Sequence, residues 1–223
     1  MSRKVAFQIL LEYFSKGKFL LPQLLELCKK KGLSSQQQAW VQELTFGVVR
    51  YRSTLEHFLV QLRSDNNTKK TRLRLKEKVL LWMSIYQFFY LNQVPYYALL
   101  GEMSSLAKKQ ANRHFFNYFY MLLKRLPSTS FSLPIGSDVK SLSVAFSYPC
   151  MYIEELLKDH DIAQVKSLLL EGNQVGRVMA RSRNPESWQK FSGNKVPDAE
   201  VSMAYFKGSE EIQKIAKNSD WYI

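Results

Sequence analysis

The chain has 223 residues, of which 46% are hydrophobic and 13% aromatic, enough apolar mass for a folded core and unlike a disordered composition. Its formal net charge is +13, and its two cysteines, Cys28 and Cys150, exclude a disulfide framework and a Cys-x-x-Cys metal knuckle. The most apolar run, residues 79–91, is shorter than the roughly 20 residues that a bilayer span needs. No signal peptide is visible at the N-terminus, so we expect a cytoplasmic protein.

The first 126 residues predict one helix after another. In residues 3–14 the apolar side chains recur at intervals of three and four, as on one face of a helix. Pro22 suits the first turn of a second helix and Gly32 its end, and Ser34 with Gln37 forms a capping box for a third. Four more helices are predicted, at residues 53–63, at 73–91, from Pro95 onward, and at 112–126. The fold class is therefore mainly α, a bundle of about seven helices.

Residues 127–137 are rich in serine, proline and glycine and mark a domain boundary. Ser147 can then cap a helix that has Pro149 in its first turn, and Asp161 can cap another that ends near Gly172. Beyond Gly176 the pattern alternates between strands (177–181, 201–206 and 221–223) and helices (185–191 and 210–217). We predict a helical domain over 1–130, a linker and helix pair over 131–175, and a small α+β subdomain over 176–223 that looks truncated.

The positive charge is concentrated in the first part of the chain. Residues 1–130 hold 21 Lys and Arg against 7 Asp and Glu, whereas residues 131–223 hold 11 against 12. Such a field favours polyanions, because neutralising phosphates releases counterions. A solvated basic face is the simpler interpretation of a lone lysine run, but seven cations between residues 63 and 78 stand against only Asp65 and Glu77. Nucleic acid is favoured over a membrane surface, because no basic helix carries a clean apolar insertion face.

Catalytic signatures are largely missing from the sequence. It has no glycine-rich phosphate loop, no His-Glu-x-x-His and no Gly-x-Ser-x-Gly, and its three histidines lie far apart. Cys28 is expected to be a small buried hydrophobe. Cys150, at a predicted helix start, could act as a nucleophile, but no base stands at a recognisable spacing, so this role is not favoured. Gly47 inside a predicted helix costs about 1 kcal/mol relative to alanine, which predicts a close helix crossing at that residue.

An ordered set of positions carries a resemblance to a known family. The set consists of Arg3, Ala6, Leu10, Glu43, Leu44, Gly47, Arg50, Tyr86, Gln87, Pro95, Ala98, Glu102 and Asn117. In this order and spacing it resembles the NusB-like helical domain, and most closely the version at the N-terminus of the RsmB (Sun) small-subunit rRNA cytosine-5 methyltransferases. The helix pair from Pro149, followed by Asn173 and Arg181, is similar to the segment that comes next in those enzymes.

The chain departs from the family pattern at several places. Tyr97 replaces the usual histidine, and residues 117–121 read Asn-Tyr-Phe-Tyr-Met instead of Asn-Ala-Val-Leu-Arg. The family's methyl-donor motif and both of its catalytic cysteine motifs are absent, and Cys150 matches neither. The resemblance thus implies the RNA-recognition portion of a methyltransferase, inactive by itself, with no catalytic or metal residues. We expect no cofactor in this chain and S-adenosylmethionine only in a catalytic domain.

The expected RNA contacts come from two sources. The resemblance assigns the start of the first helix, Arg3 and Lys4, to the RNA surface. Charge density adds Lys69, Lys70, Arg72, Arg74, Lys76, Lys78, Lys108, Lys109 and Arg113. Arg50 is left out, because it can pair with Glu43 or cap a helix end.

Two other functions stay open at this point. The first is a free-standing NusB-type transcription antitermination factor that binds leader RNA with a ribosomal protein, although residues 131–223 exceed what such factors need. The second is a protein-docking helical module whose basic face meets an acidic partner. On the favoured interpretation the partners are small-subunit rRNA and a catalytic domain in cis, with no membrane.

Overall fold

The computed structural model describes residues 1–64 and 72–174 in full and the backbone of residues 178–182, 203–206 and 221–222. Within these residues it is mainly α-helical, as predicted. The helices are α1 (Ser2–Lys16), α2 (Leu20–Lys30), α3 (Ser35–Arg50), α4 (Arg52–Ser64), α5 (Leu75–Tyr90), α6 (Tyr96–Gln110), α7 (Arg113–Arg125), α8 (Val139–Phe146), α9 (Cys150–Asp159) and α10 (Ile162–Asn173). A short 3-10 turn, Leu126–Ser128, follows α7. None of the helices described is long and apolar enough to cross a membrane.

Helix α5 forms the centre of the bundle, as its apolar sequence predicts. Residues 79–87 are all buried, and α1, α3, α4, α6 and α7 pack around them. The two polar residues in this run are satisfied locally, since Ser84 donates to the carbonyl of Leu80 (2.8 Å) and Gln87 to that of Met83 (2.9 Å). Each large apolar side chain buried here contributes about 1.5–3 kcal/mol, so this helix anchors the surrounding ones.

Local signals place the ends and crossings of the neighbouring helices. The predicted capping box at the start of α3 is confirmed: the Gln37 N–H donates to Ser34 Oγ (3.3 Å) and the Ser34 N–H to Gln37 Oε1 (3.0 Å). The close crossing predicted at Gly47 is confirmed as well, because the ring of Tyr86 on α5 occupies the space that a Cβ would need. Cys28 is buried, also as expected.

Residues 131–147 run back along α4, and hydrogen bonds hold them there. The side-chain amide of Gln61 accepts a hydrogen bond from the Ser132 N–H (3.1 Å) and donates one to the Ser132 carbonyl (2.8 Å). The Thr54 hydroxyl donates to the carbonyl of Val144 (2.6 Å). Ser147 does not cap the following helix, so that prediction is wrong: it ends α8 in the left-handed conformation (φ 61°), and Pro149 stands at the N-cap of α9. Helix α8 itself was not predicted.

By its internal contacts the chain divides into two compact units, residues 1–166 and 167–223. The predicted boundary after residue 130 does not coincide with this division, and the three-domain organisation stays a prediction. The second unit contains a three-stranded antiparallel sheet of β1 (Val178–Ser182), β2 (Met203–Phe206) and β3 (Trp221–Tyr222), in the order β2-β1-β3. In register, Val178 faces Phe206 and Ser182 faces Trp221. The strands coincide with three predicted ones, while the helices predicted at 185–191 and 210–217 lie outside the described residues.

Candidate nucleic-acid interface

A groove of about 690 Å³ lies between the start of α5 and the first half of α7. Four residues line it from the α5 side (Arg72, Leu73, Arg74 and Glu77), and six line it from the α7 side (Asn112, His114, Phe115, Asn117, Tyr118 and Met121). Leu73 and Phe115 are buried and give it an apolar floor, whereas Arg72 and Arg74 are exposed. The groove therefore combines apolar surface with two guanidinium groups, a composition suited to a ligand with flat rings and negative charge.

Two helices begin at this groove, and hydrogen bonds hold each start in place. The N–H of Arg74, the N-cap residue of α5, donates to the carboxylate of Glu77 (2.7 Å). The Asn112 side chain caps α7 by accepting from the Phe115 N–H (2.8 Å). The N-terminal end of a helix dipole is positive, so the start of α7, which has no acidic residue in its first turn, adds to the attraction of the groove for anions, whereas the Glu77 carboxylate offsets this effect at the start of α5.

The wall formed by α7 offers hydrogen-bonding groups that the sequence reasoning missed. His114 and Asn117 are exposed and line the groove. Tyr118 also lines it, and its hydroxyl accepts a hydrogen bond from Arg63 Nε (2.8 Å), which fixes the ring. The sequence shows the three histidines only as lying far apart, and it singles out Asn117 only through the family resemblance. The available signal was their position on the first turns of α7, directly after Lys108, Lys109 and Arg113.

Some of the predicted RNA contacts lie at the groove, and others lie on other helices or outside the described residues. Arg72 and Arg74 line it directly, and Arg113 is the first residue of α7. Lys108 and Lys109 lie exposed in the last turn of α6. Lys76 is half-buried in the first turn of α5, Lys4 is exposed on α1, and Lys69 and Lys70 lie outside the described residues.

Arg3 is held by partners inside the bundle. Its Nε donates to Gln87 Oε1 (2.8 Å), its guanidinium lies 5.0 Å from the centre of the Trp40 ring, and one of its nitrogens is 3.7 Å from Glu102. Burial lowers the pKa of Arg3, an effect that the nearby Glu102 partly opposes. In this arrangement Arg3 joins α1 to α3, α5 and α6.

Lys78 is likewise engaged within the bundle. Its Nζ donates to Glu56 Oε1 (2.6 Å), and the other oxygen of that carboxylate accepts from Trp82 Nε1 (2.8 Å). The sequence predicted RNA contacts at Lys78 and Arg3 alike, and those roles stay predictions; the structure shows an intramolecular partner for each.

The residues from 1 to 118 match the family model of NusB, so the chain belongs to the NusB family, a class of helical domains that bind RNA. The crystal structure of PH0851 is similar in fold, with a TM-score of 0.56 at 12% sequence identity. The likeness covers 92% of this chain and 48% of PH0851, so the chain spans about half the length of that protein. No curated protein matches the sequence. In the part of the chain that the structure describes, no three His, Cys, Asp or Glu residues are grouped so that they could hold a metal ion.

Proposed function

We propose that the chain binds RNA at the groove between α5 and α7 and presents small-subunit rRNA to a domain that methylates cytosine at C5. One observation carries the RNA-binding site: Arg72, Arg74 and the polar residues at the start of α7 line the same groove, whose floor is apolar. Family membership supports an RNA ligand, and the excess of cations in residues 1–130 supports the same class.

Each part of the groove has a role in this proposal. Arg72 and Arg74 hold phosphates and set the register of the strand, which supplies affinity with little sequence preference. An unpaired base lies over the apolar floor, where Asn117 and His114 can hydrogen-bond its edge. Single-stranded RNA should therefore bind more tightly than a duplex, whose bases are stacked inside the helix.

The methyltransferase context rests on the sequence resemblance and on two further observations. A helix pair follows the NusB-family domain, as the resemblance implies, and a small antiparallel sheet comes after it. PH0851, which shares the fold over nearly all of this chain, is about twice as long. In this proposal methyl transfer and S-adenosylmethionine binding belong to a separate catalytic domain, and this chain supplies RNA contacts alone.

RNA binding is tested by fluorescence anisotropy with labelled single-stranded fragments of small-subunit rRNA. The double variant Arg72→Glu, Arg74→Glu should weaken binding and flatten the dependence of log affinity on log salt, by roughly 0.7 for each phosphate that is no longer neutralised. Lys29→Glu, Lys30→Glu is the matched control, since it changes the charge equally on α2, which packs against α1 and α3. Equal losses of affinity in both variants would show that RNA binding depends on the net charge of the chain and not on the groove.

The rRNA context needs a separate measurement. Bisulfite sequencing of small-subunit rRNA should show a cytosine that loses methylation in cells from which the gene has been deleted. Unchanged methylation, together with selective binding of a short leader RNA, would overturn the methyltransferase proposal and support the antitermination alternative.

A further inference from the structure

Helix α2 and the residue before it expose three large apolar side chains to solvent. Phe19 is 81% exposed, Leu21 50% and Leu25 56%. Leu21 and Leu25 stand four residues apart and so lie on one side of the helix, beside its buried face. We call these three residues the apolar stripe. Contiguous apolar side chains with a polar rim mark interaction surfaces more often than single exposed leucines do.

Hydrogen bonds and the turn between α1 and α2 hold the backbone at the stripe in a defined conformation in the unbound chain. The side chain of Gln23 is buried, and its Nε2 donates to the carbonyls of Lys18 and Phe19 (3.0 Å each). Helix α1 ends at Gly17 in the left-handed conformation, which sets the turn into α2. Because the backbone of Phe19 is already fixed, binding through its ring orders few additional groups, which favours affinity.

The rim of the stripe is positively charged. Lys29, Lys30 and Lys31 are exposed at the C-terminal end of α2, and Glu26 is the one acidic residue between positions 20 and 31. Aliphatic side chains spaced at one helical turn fit the apolar face of another helix, and the lysines beside them fit carboxylates.

We propose that the apolar stripe is a docking site for an acidic amphipathic helix of a partner protein. RNA is disfavoured, because two of the three side chains of the stripe, Leu21 and Leu25, are aliphatic and offer neither a ring to stack on nor a donor for a phosphate, and only Phe19 has a ring. A second copy of this chain, packed symmetrically on the same helix, would bring two sets of lysines together. This interaction is separate from the proposed RNA groove and does not depend on it.

The probe for the test is a fluorescein-labelled synthetic helix of about 18 residues, or five turns, with leucines on one face and glutamates elsewhere. The wild-type chain should bind it, and Leu21→Ser, Leu25→Ser should weaken binding about tenfold or more, because the probe can no longer bury its leucines against two aliphatic side chains. The matched control is Val60→Ser, which changes a 59%-exposed apolar residue on α4 and should leave binding unchanged. Lys29→Glu, Lys30→Glu should weaken binding of the acidic probe and improve binding of a lysine-rich version.

Three results would overturn the proposal. The first is equal binding of the probe to the wild type and to Leu21→Ser, Leu25→Ser, with both folded by circular dichroism. The second is loss of rRNA binding in that variant, which would assign the stripe to the RNA surface. The third is a dimer in sedimentation that the variant abolishes, which would make a second copy the occupant. The proposed RNA function fails on a different result, namely unchanged rRNA binding in Arg72→Glu, Arg74→Glu.

Discussion

The hydroxyl of Ser147 accepts a hydrogen bond from the N–H of Ser53 (3.0 Å), 94 residues earlier in the chain, and a longer one from Thr54 (3.4 Å). Both N–H groups lie in the first turn of α4, where a helix has no backbone partners of its own. A residue at the end of α8 thus caps the start of α4 and ties residues 131–147 to the bundle.

Removing this cap should destabilise the fold. We expect Ser147→Ala to lower the free energy of unfolding by about 1 kcal/mol, the usual value of a helix N-cap. The melting temperature, measured by circular dichroism, should fall by roughly 2–4 °C for a chain of this size. Ser105→Ala, a change at an exposed position of α6, is the control and should leave the melting temperature unchanged.

Two glycines inside helices should respond in opposite ways to alanine. At Gly47 the new Cβ would overlap the ring of Tyr86, whose hydroxyl is held by Glu43 (2.6 Å), so Gly47→Ala should destabilise the protein. At Gly101 on α6 nothing lies within 4 Å of the new Cβ, so Gly101→Ala should raise the free energy of unfolding by about 0.5–1 kcal/mol. Urea denaturation of the two variants measures both effects. A stabilising Gly47→Ala would contradict the close crossing of α3 and α5.

Arg3 and Lys4 are neighbours, yet we expect different effects from their replacement. Arg3→Ala leaves Gln87 Oε1 without its donor inside the bundle and should lower the free energy of unfolding by about 1–3 kcal/mol. The salt dependence of RNA binding tests the predicted RNA contact of Arg3: a flatter dependence in Arg3→Ala would support that contact, and an unchanged one would contradict it. Lys4→Ala removes an exposed cation and should leave the melting temperature unchanged, while any change in RNA binding would support the predicted phosphate contact.

Stability at alkaline pH should depend on Tyr90. Burial, together with the nearby Tyr51, raises the pKa of Tyr90 to about 12, against about 10 for an unfolded tyrosine. The folded state thus favours the neutral phenol. The contribution of Tyr90 to the free energy of unfolding is fully present below pH 10. It is lost as the pH rises through 12, because the unfolded state then releases the phenol proton more readily than the folded state does. Burial and the hydrogen bond to Glu43 also raise the pKa of Tyr86, which acts in the same direction.

This dependence is measured by urea denaturation between pH 9 and pH 12, a window that follows from the raised pKa. The wild type should lose stability across the upper part of that window, and Tyr90→Phe should lose less. Tyr97→Phe, which changes an exposed ring, should behave as the wild type does. Identical curves for Tyr90→Phe and the wild type would contradict the role given to Tyr90.

Features that depend on neighbours in the chain were predictable. The capping box at Ser34 involves residues three positions apart, and the burial of α5 follows from apolar residues on all of its faces. Gly47 indicated a crossing because a glycine inside a helix has a cost that packing must offset. The family resemblance used the same kind of local pattern, and the NusB family match over residues 1–118 confirms its helical part.

Those local patterns do not predict which side chains form hydrogen bonds or ion pairs with residues far away in the chain. Arg3 and Lys78 have the same charge as Arg74, yet the first two meet Gln87 and Glu56 across the bundle, while Arg74 lines an open groove. Ser147 was expected to cap the helix that follows it and instead caps one far earlier in the chain. Side-chain type and spacing determined the helices and their buried faces, because hydrogen bonds and periodicity within a helix are local. Which cations remain exposed depended on the packing of α1, α4, α5 and α7, because a charge takes the partner that the fold brings within reach.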